Sequence, residues 1–182
     1  MYRCILLAIP MLALLGCESV PPVDPRLEGP RGTVSAFVFT SVDCPVANAM
    51  APQMRRTFDM ARALGVRTYL VYPREDLDAD EIGAHAIDYQ LDATVLADPD
   101  KHLVEQLGAT VTPEGVVIEY VADDRYEVRY RGRLSDLYPS IGNRRDEART
   151  HEFREAIRAV CDRQPVSSPW LPAIGCMIER AP

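Results

Sequence analysis

The stretch from Thr33 to Pro52 reads TVSAFVFTSVDCPVANAMAP, an apolar strand that runs directly into a cysteine at the start of a helical pattern. A helix N-terminus presents unbonded N–H groups and the positive end of the helix dipole, and both stabilise a thiolate relative to a thiol. A cysteine pKa near ~8.5 can fall to ~3.5–7.5 in such a position. The sequence therefore predicts a strand–cysteine–helix unit in which Cys44 is the first candidate functional residue.

Strand-like and helical segments alternate around this unit. The hydrophobic pattern predicts strands at 34–40, 66–72, 94–97, 116–121 and 126–132, and helices at 46–64, 80–89, 101–107 and 146–162. The order is β-α-β-α-β-α-β-β-α, in which alternation is followed by a hairpin and a closing helix. Such an order predicts an α/β sandwich with a mixed central sheet, formed by one domain over residues 32–163.

The first residues have the composition of an export signal rather than of a folded domain. Arg3 precedes an apolar run, which ends in Leu-Leu-Gly-Cys at Cys17. The run is shorter than the ~20 apolar residues that a membrane span needs. It resembles a bacterial lipoprotein signal, which implies a signal peptide at 1–16, acylation of Cys17 and a proline-rich tether over 17–31. The expected location is the bacterial cell envelope, with a lipid anchor and the domain facing the periplasm or the exterior.

Cysteine usage follows from this location. Of the five cysteines, Cys4 would leave with the signal and Cys17 would be lipidated, so the domain and its tail would keep Cys44, Cys161 and Cys176. Disulfides persist outside the cytoplasm, and three thiols allow at most one internal bridge. The net charge of −7, without a cluster of basic residues, argues against nucleic acid as a partner.

The element order, the cysteine after the first strand and the Thr112-Pro113 pair before the hairpin together resemble the thioredoxin fold. More narrowly, they resemble the redoxin branch of extracytoplasmic thiol–disulfide proteins and peroxiredoxins. Pro52, eight residues after Cys44, lies where thioredoxins have a helix-kinking proline. The resemblance implies a three-layer sandwich and a cis Pro113, with Thr112 and Pro113 facing Cys44 and offering backbone groups to a substrate chain. It also implies that Glu114 faces Cys44.

The differences from the better-known members narrow the chemistry. The thioredoxin motif C-x-x-C here ends at Ala47, which cannot resolve a mixed disulfide. Phe37 and Ser41 stand where peroxiredoxins have proline and threonine. Asn48 stands where copper chaperones of cytochrome oxidase have their second cysteine. Dithiol exchange within the motif is therefore excluded, and neither the peroxidase pattern nor that copper site is reproduced.

Three segments resemble a narrower group of bacterial redoxin-domain proteins that combine a D-C-P-I-A-N-type motif with a C-terminal Gly-Cys. They are DCPVANAMAP, YRGRLSD and, in the proline-rich tail at 164–182, PVSSPWLPAIGCMI. This resemblance implies that Cys176 is a partner for Cys44, as a resolving thiol, as a metal ligand or in a structural disulfide. A Cys161–Cys176 bridge is the alternative pairing. Trp170 is expected to anchor the tail.

The sequence thus predicts a membrane-anchored extracytoplasmic thiol–disulfide redox protein with Cys44 as nucleophile, Cys176 as the candidate resolving thiol and protein thiols or disulfides as partners. No cofactor is needed for this chemistry. One alternative is a protein that handles Cu(I) between Cys44 and Cys176, since soft thiolates select that ion. Another is a non-catalytic redoxin module with a structural disulfide. Asp43 complicates the activation of Cys44, because an adjacent negative charge opposes the helix dipole.

Overall fold

The computed structural model describes residues 23–179, and this part of the chain forms eight strands and four helices after a short 3-10 turn at Pro25–Leu27. The strands are β1 (Val34–Phe39), β2 (Arg67–Tyr72), β3 (Thr94–Ala97), β4 (Val111–Thr112), β5 (Glu114–Ala122), β6 (Arg125–Gly132), β7 (Trp170–Leu171) and β8 (Cys176–Met177). The helices are α1 (Pro45–Ala63), α2 (Ala79–Asp88), α3 (His102–Leu107) and α4 (Glu152–Cys161).

Six of the strands form a mixed sheet in the spatial order β3-β2-β1-β5-β6-β7. The strand β1 lies at its centre, parallel to β2 and antiparallel to β5. Ala36 and Val38 pack with α1, α2 and α4 on one face, whereas Phe37 and Phe39 pack with α3 on the other. Because alternate residues of a strand point to opposite faces, an apolar run is what a strand between two helical layers requires. The predicted α/β sandwich with a mixed central sheet is confirmed.

The last helix differs from its predicted span, since it begins at Glu152 rather than at residue 146. The Asp136 carboxylate accepts hydrogen bonds from the N–H groups of Arg149, at 2.6 Å, and Thr150, at 3.0 Å. These backbone groups are therefore bonded to a side chain of the preceding loop and not to a helical turn. The spacing of apolar residues indicates where a helical face is favoured. It does not indicate that the Asp136 carboxylate binds the N–H groups of Arg149 and Thr150, which belong to the first part of the predicted helix.

The segment before β1 packs on the domain. Leu27 is buried in the core on the α3 face, and Arg26 forms ion pairs with Asp24 and Asp98. Contact with the domain thus begins well before residue 32, where the sequence predicts the domain to start. The predicted signal peptide and Cys17 lie outside the described residues. No helix within residues 23–179 combines the length and the apolar character needed to cross a membrane.

Candidate active site

Cys44 is the N-cap residue of α1, as the strand–cysteine–helix pattern predicts. Pro45 follows at the first helical position, where a missing N–H costs nothing. The Ala47 N–H points at Cys44 Sγ at 3.5 Å, so the sulfur takes the place of a capping oxygen. Cys44 is only 1% exposed. The sulfur is therefore held at the positive end of a 19-residue helix and shielded from solvent.

The loop that faces Cys44 contains the Thr112–Pro113 peptide bond, which is cis. The Cys44 thiol donates a hydrogen bond to the Thr112 carbonyl oxygen, with an S···O distance of 3.0 Å. Thr112 and Pro113 are both buried. The structure thus brings together Cys44, Thr112 and Pro113, three of the residues that the sequence predicts to form one site.

The C-terminal tail returns to this same loop. Its strand β8 pairs antiparallel with β4, with Cys176 opposite Thr112 and Met177 opposite Val111. A side chain at position 175 would place its Cβ 2.0 Å from the Thr112 carbonyl oxygen, so only glycine allows this approach. The Cys176 thiol and its N–H lie close enough to Cys44 Sγ to lower the pKa of Cys44. The tail therefore delivers a second sulfur to Cys44.

A second short strand fixes the tail before it reaches the site. In β7, Trp170 and Leu171 pair parallel with Arg131 and Gly132 of β6, at the edge of the main sheet. Trp170 is 55% exposed, and the Arg131 guanidinium lies 5.1 Å from its ring centroid. Backbone pairing and this cation–π contact hold the tail here, rather than burial of the indole. Residues 172–175 then span the distance to Cys176.

The two thiols have opposite acid–base character. Burial raises the pKa of Cys44, but hydrogen bonds from the Cys176 thiol and the Ala47 N–H outweigh it, so the pKa lies below that of an ordinary cysteine. For Cys176, burial, the hydrogen bond with Cys44 and the negative charges of Cys44 and Asp43 raise the pKa to about 11. A pair of this kind ionises at Cys44 first. Cys176 then remains the proton donor that stabilises the Cys44 thiolate.

Asp43 does not oppose the ionisation of Cys44 in the way that its position in the sequence suggests. Its carboxylate accepts hydrogen bonds from Ser41 Oγ, at 2.5 Å, and from the Arg74 guanidinium. Both contacts lower the pKa of Asp43 and keep it ionised, with Arg74 offsetting its charge. The charge of Asp43 acts on Cys176, whose pKa it helps to raise.

Glu114 does not face Cys44, and that expectation is wrong. Its buried carboxylate accepts hydrogen bonds from the Thr110 N–H, at 2.6 Å, and from Thr110 Oγ, at 3.1 Å. The Val111 N–H points at the same oxygen from 3.4 Å, and Arg131 Nε lies 4.0 Å from the other oxygen. Glu114 thus holds the start of β4, the strand that pairs with Cys176.

Three hydrogen-bonded polar side chains, two of them buried, support the loop before Cys44, and sequence reasoning did not find them. Asn48 Nδ2 donates to the Val42 carbonyl at 2.9 Å, and Asn48 Oδ1 lies 2.9 Å from His85 Nε2. The other ring nitrogen of His85 lies 2.7 Å from the Tyr72 hydroxyl. Because Asn48 Oδ1 only accepts, His85 carries its proton on Nε2 and Tyr72 donates to Nδ1. The available signal was Asn48 in the DCPVAN motif, four residues after Cys44.

The position of His85 in this hydrogen-bonded group makes the free energy of unfolding depend on pH. Burial lowers the pKa of His85, although Asp88 partly opposes the shift. The unfolded chain therefore binds the proton more readily, and stability falls as the pH drops through about 6.5 toward the folded-state pKa. We expect His85→Gln to be less stable than the wild type at pH 7.5, but to lose less free energy of unfolding between pH 7.5 and 5.5. Urea titrations at both values measure this, with the exposed His102→Gln as control, and equal losses in all three proteins would contradict it.

Cys161 lies away from the site. It ends α4 and borders a surface hollow together with Leu64 and Val66, beyond the C-terminal end of α1. Since α1 has 19 residues, its two ends are about 28 Å apart. A disulfide needs Cα atoms within ~4.4–6.8 Å. The structure brings Cys176 to Cys44 and not to Cys161.

Two further features of the site are a groove beside Cys176 and the side chains near it that could bind a metal ion. A groove of about 470 Å³ runs beside Cys176 and is bordered by Arg74, Lys101 and Glu179. Among residues 23–179, no group of three or more His, Cys, Asp or Glu side chains could hold a metal ion. The alternative of Cu(I) shared by Cys44 and Cys176 rests on those two sulfur atoms alone and stays a prediction.

Comparison with known proteins identifies the fold. No family model matches the chain, and no curated protein matches it. A hypothetical protein from Sinorhizobium meliloti is similar in structure, with a TM-score of 0.69 and 19% identity over 82% of this chain and 81% of that one. An uncharacterized conserved protein from Geobacillus kaustophilus has a TM-score of 0.69 and 20% identity, covering 83% of this chain and 79% of its own.

Another similar structure is that of a protein described in oxidized and reduced forms. It is dsbF of MTB (Mycobacterium tuberculosis), described in mixed oxidized and reduced forms, with a TM-score of 0.51 and 20% identity over 71% of this chain and 82% of that one. At these identities the similarity concerns the fold. The chain has a thioredoxin-like fold, as the sequence predicts.

Proposed function

We propose that the protein is a thiol–disulfide oxidoreductase in which Cys44 is the nucleophile and Cys176 the resolving thiol. One observation carries the proposal: Cys176 lies against Cys44, paired with Thr112 beside the cis proline. The missing second cysteine of the C-x-x-C motif is thereby replaced from the far end of the chain. The lowered pKa of Cys44 and the raised pKa of Cys176 support this division of roles.

The exchange proceeds in two steps. The Cys44 thiolate attacks one sulfur of a protein disulfide, forms a Cys44–substrate mixed disulfide and expels the second substrate sulfur as a thiolate, which takes up a proton. Cys176 then loses its proton and attacks Cys44 Sγ, which releases the first substrate sulfur as a thiol. The substrate has gained two electrons and two protons, and the protein holds a Cys44–Cys176 disulfide. A dithiol donor restores the reduced protein by the same exchange in reverse.

The proposed location is the bacterial cell envelope. It rests on the signal-like sequence of residues 1–16 and on Cys17, whose acylation would tether the domain to a membrane. In that compartment protein disulfides form and persist, so a thiol of low pKa has substrates there. Protein thiols and disulfides are therefore the proposed partners.

Mapping the disulfide of the oxidised protein tests the proposal. We expect mild oxidation with glutathione disulfide, followed by digestion and mass spectrometry, to give a Cys44–Cys176 link and a free Cys161. Cys161→Ser is the matched control, and it should form the same link. A Cys161–Cys176 link would contradict the pairing. Cys44 held only as a glutathione adduct would show that Cys176 does not resolve it.

A further inference from the structure

Cys44 cannot be reached by a substrate while the tail is in place. Its side chain is 1% exposed, and Cys176 lies on it from the edge of β4. A substrate disulfide must approach Cys44 Sγ in line with its own S–S bond. The reduced protein therefore has to move β8 before the first step of the proposed exchange.

The tail that blocks the site has the form of a bound peptide. Gly175 fits where a Cβ would lie 2.0 Å from the Thr112 carbonyl oxygen. Cys176 is turned to Cys44, and Met177 points away with 84% of its surface exposed. Ile178 donates its N–H to the Thr110 carbonyl at 3.0 Å and is only 8% exposed, packed in the core on the α3 face. Each of the four consecutive positions thus has a distinct environment on the β4 edge.

We infer that the C-terminal tail is a tethered competitor at the edge of β4, where the resemblance already implies that a substrate chain pairs, and that this edge favours extended segments of the form glycine–cysteine–any residue–apolar residue. The tail leaves to admit the substrate segment and returns to resolve the mixed disulfide. Antiparallel pairing with Val111 and Thr112 binds any such segment, while the contacts at positions 175 and 178 select its sequence. The inference rests on the proposed role of Cys44 and adds the class of substrate.

The attachment of the tail suits an exchange of strands. The strand β8 contains only Cys176 and Met177, both exposed, whereas β7 remains paired with β6 upstream. Residues 172–175 between them can swing β8 away without detaching β7. The groove bordered by Arg74, Lys101 and Glu179 gives a substrate room for residues that flank its cysteine. When the tail returns, Cys176 attacks Cys44 Sγ as the substrate thiol departs, so bonds and electrons balance as in the second step above.

A synthetic peptide with the tail sequence tests the binding site. The probe is A-I-G-C-M-I, residues 173–178, with its cysteine linked to thionitrobenzoate, so that attack by Cys44 releases the coloured thiol. The protein carries Cys161→Ser and Cys176→Ser, and mass mapping locates the adduct. We expect peptides with Gly175→Ala or Ile178→Asp to react at least about tenfold more slowly, equivalent to about 1.4 kcal/mol. The matched control Met177→Ser, at the exposed position, should react like the parent peptide.

A variant of the protein itself tests whether the tail must be released before a substrate segment binds. In the protein, Ile178→Asp removes the buried anchor of β8 and should speed the reaction of the parent peptide at least about tenfold. Equal rates for the parent peptide and its Gly175→Ala form would overturn the inference, and this comparison does not depend on the folding of the Ile178→Asp protein. If the Ile178→Asp protein is folded and the rate is unchanged, the proposal that the tail competes with the substrate segment is overturned. If neither the peptide nor a small disulfide such as dithiobisnitrobenzoate reacts at Cys44, the proposed function itself fails.

Discussion

Replacing Cys44 with serine is expected to reduce the catalysed rate of protein-disulfide reduction by more than about a thousandfold, because removal of a catalytic nucleophile causes losses of this size or larger in enzymes. The reason is that no other thiol within residues 23–179 can take its place: Ala47 stands at the usual position, and Cys176 has a pKa raised to about 11. Insulin reduction with a dithiol donor, corrected for the rate without protein, measures the loss.

Two variants separate this result from a general effect of removing cysteine. Cys161→Ser should keep the wild-type rate, because Cys161 lies beyond the far end of α1. Cys176→Ser should attack a disulfide once and then stall as a mixed disulfide. A Cys44→Ser protein that retains a tenth or more of the activity would show that Cys44 is not the nucleophile. A tenfold loss corresponds to only about 1.4 kcal/mol of transition-state stabilisation.

Oxidation of the protein is expected to raise its free energy of unfolding by about 4–5 kcal/mol, since a Cys44–Cys176 bond closes a loop of more than a hundred residues. The gain comes from the unfolded chain, which loses conformational freedom when its ends are linked. In the folded protein the two residues are already in contact. Guanidinium titrations of the oxidised and reduced wild type measure the difference.

The control for this prediction is Cys176→Ser, which should show no difference between oxidising and reducing conditions. Cys161→Ser should show the full difference. Coincident unfolding curves for the oxidised and reduced wild type, with the bond verified by mass, would contradict the entropic reasoning. A gain that survives in Cys176→Ser would place the bond elsewhere.

The central part of the fold could be predicted because its determinants are local. The strand β1 lies between two helical layers and is apolar throughout most of its length, and α1 repeats apolar residues with helical spacing over 19 residues. The position of Cys44 follows from the junction of these two elements. Boundaries were accurate where a local signal exists, as at Gly65, whose φ of +72° suits the end of α1.

The rest depends on contacts between segments that are distant in the chain. The strands β4 and β8 have two residues each, too few to show any periodicity, and their pairing is decided by the space that Gly175 leaves beside Thr112. The partnership of Cys176 with Cys44 was available only through resemblance to other sequences. The effect of Asp43 was not predictable, because it depends on Arg74, which lies 31 residues away in the sequence.

Trapping the intermediate tests the division of roles between Cys44 and Cys176 most directly. Cys176→Ser protein is incubated with insulin, quenched with a thiol-alkylating reagent and digested, and the cysteine that carries the insulin chain is identified by mass spectrometry. A stable adduct on Cys44, much reduced in the wild type and absent from Cys44→Ser, is the predicted result. An adduct on Cys161, or one that accumulates equally in the wild type and Cys176→Ser, would contradict it.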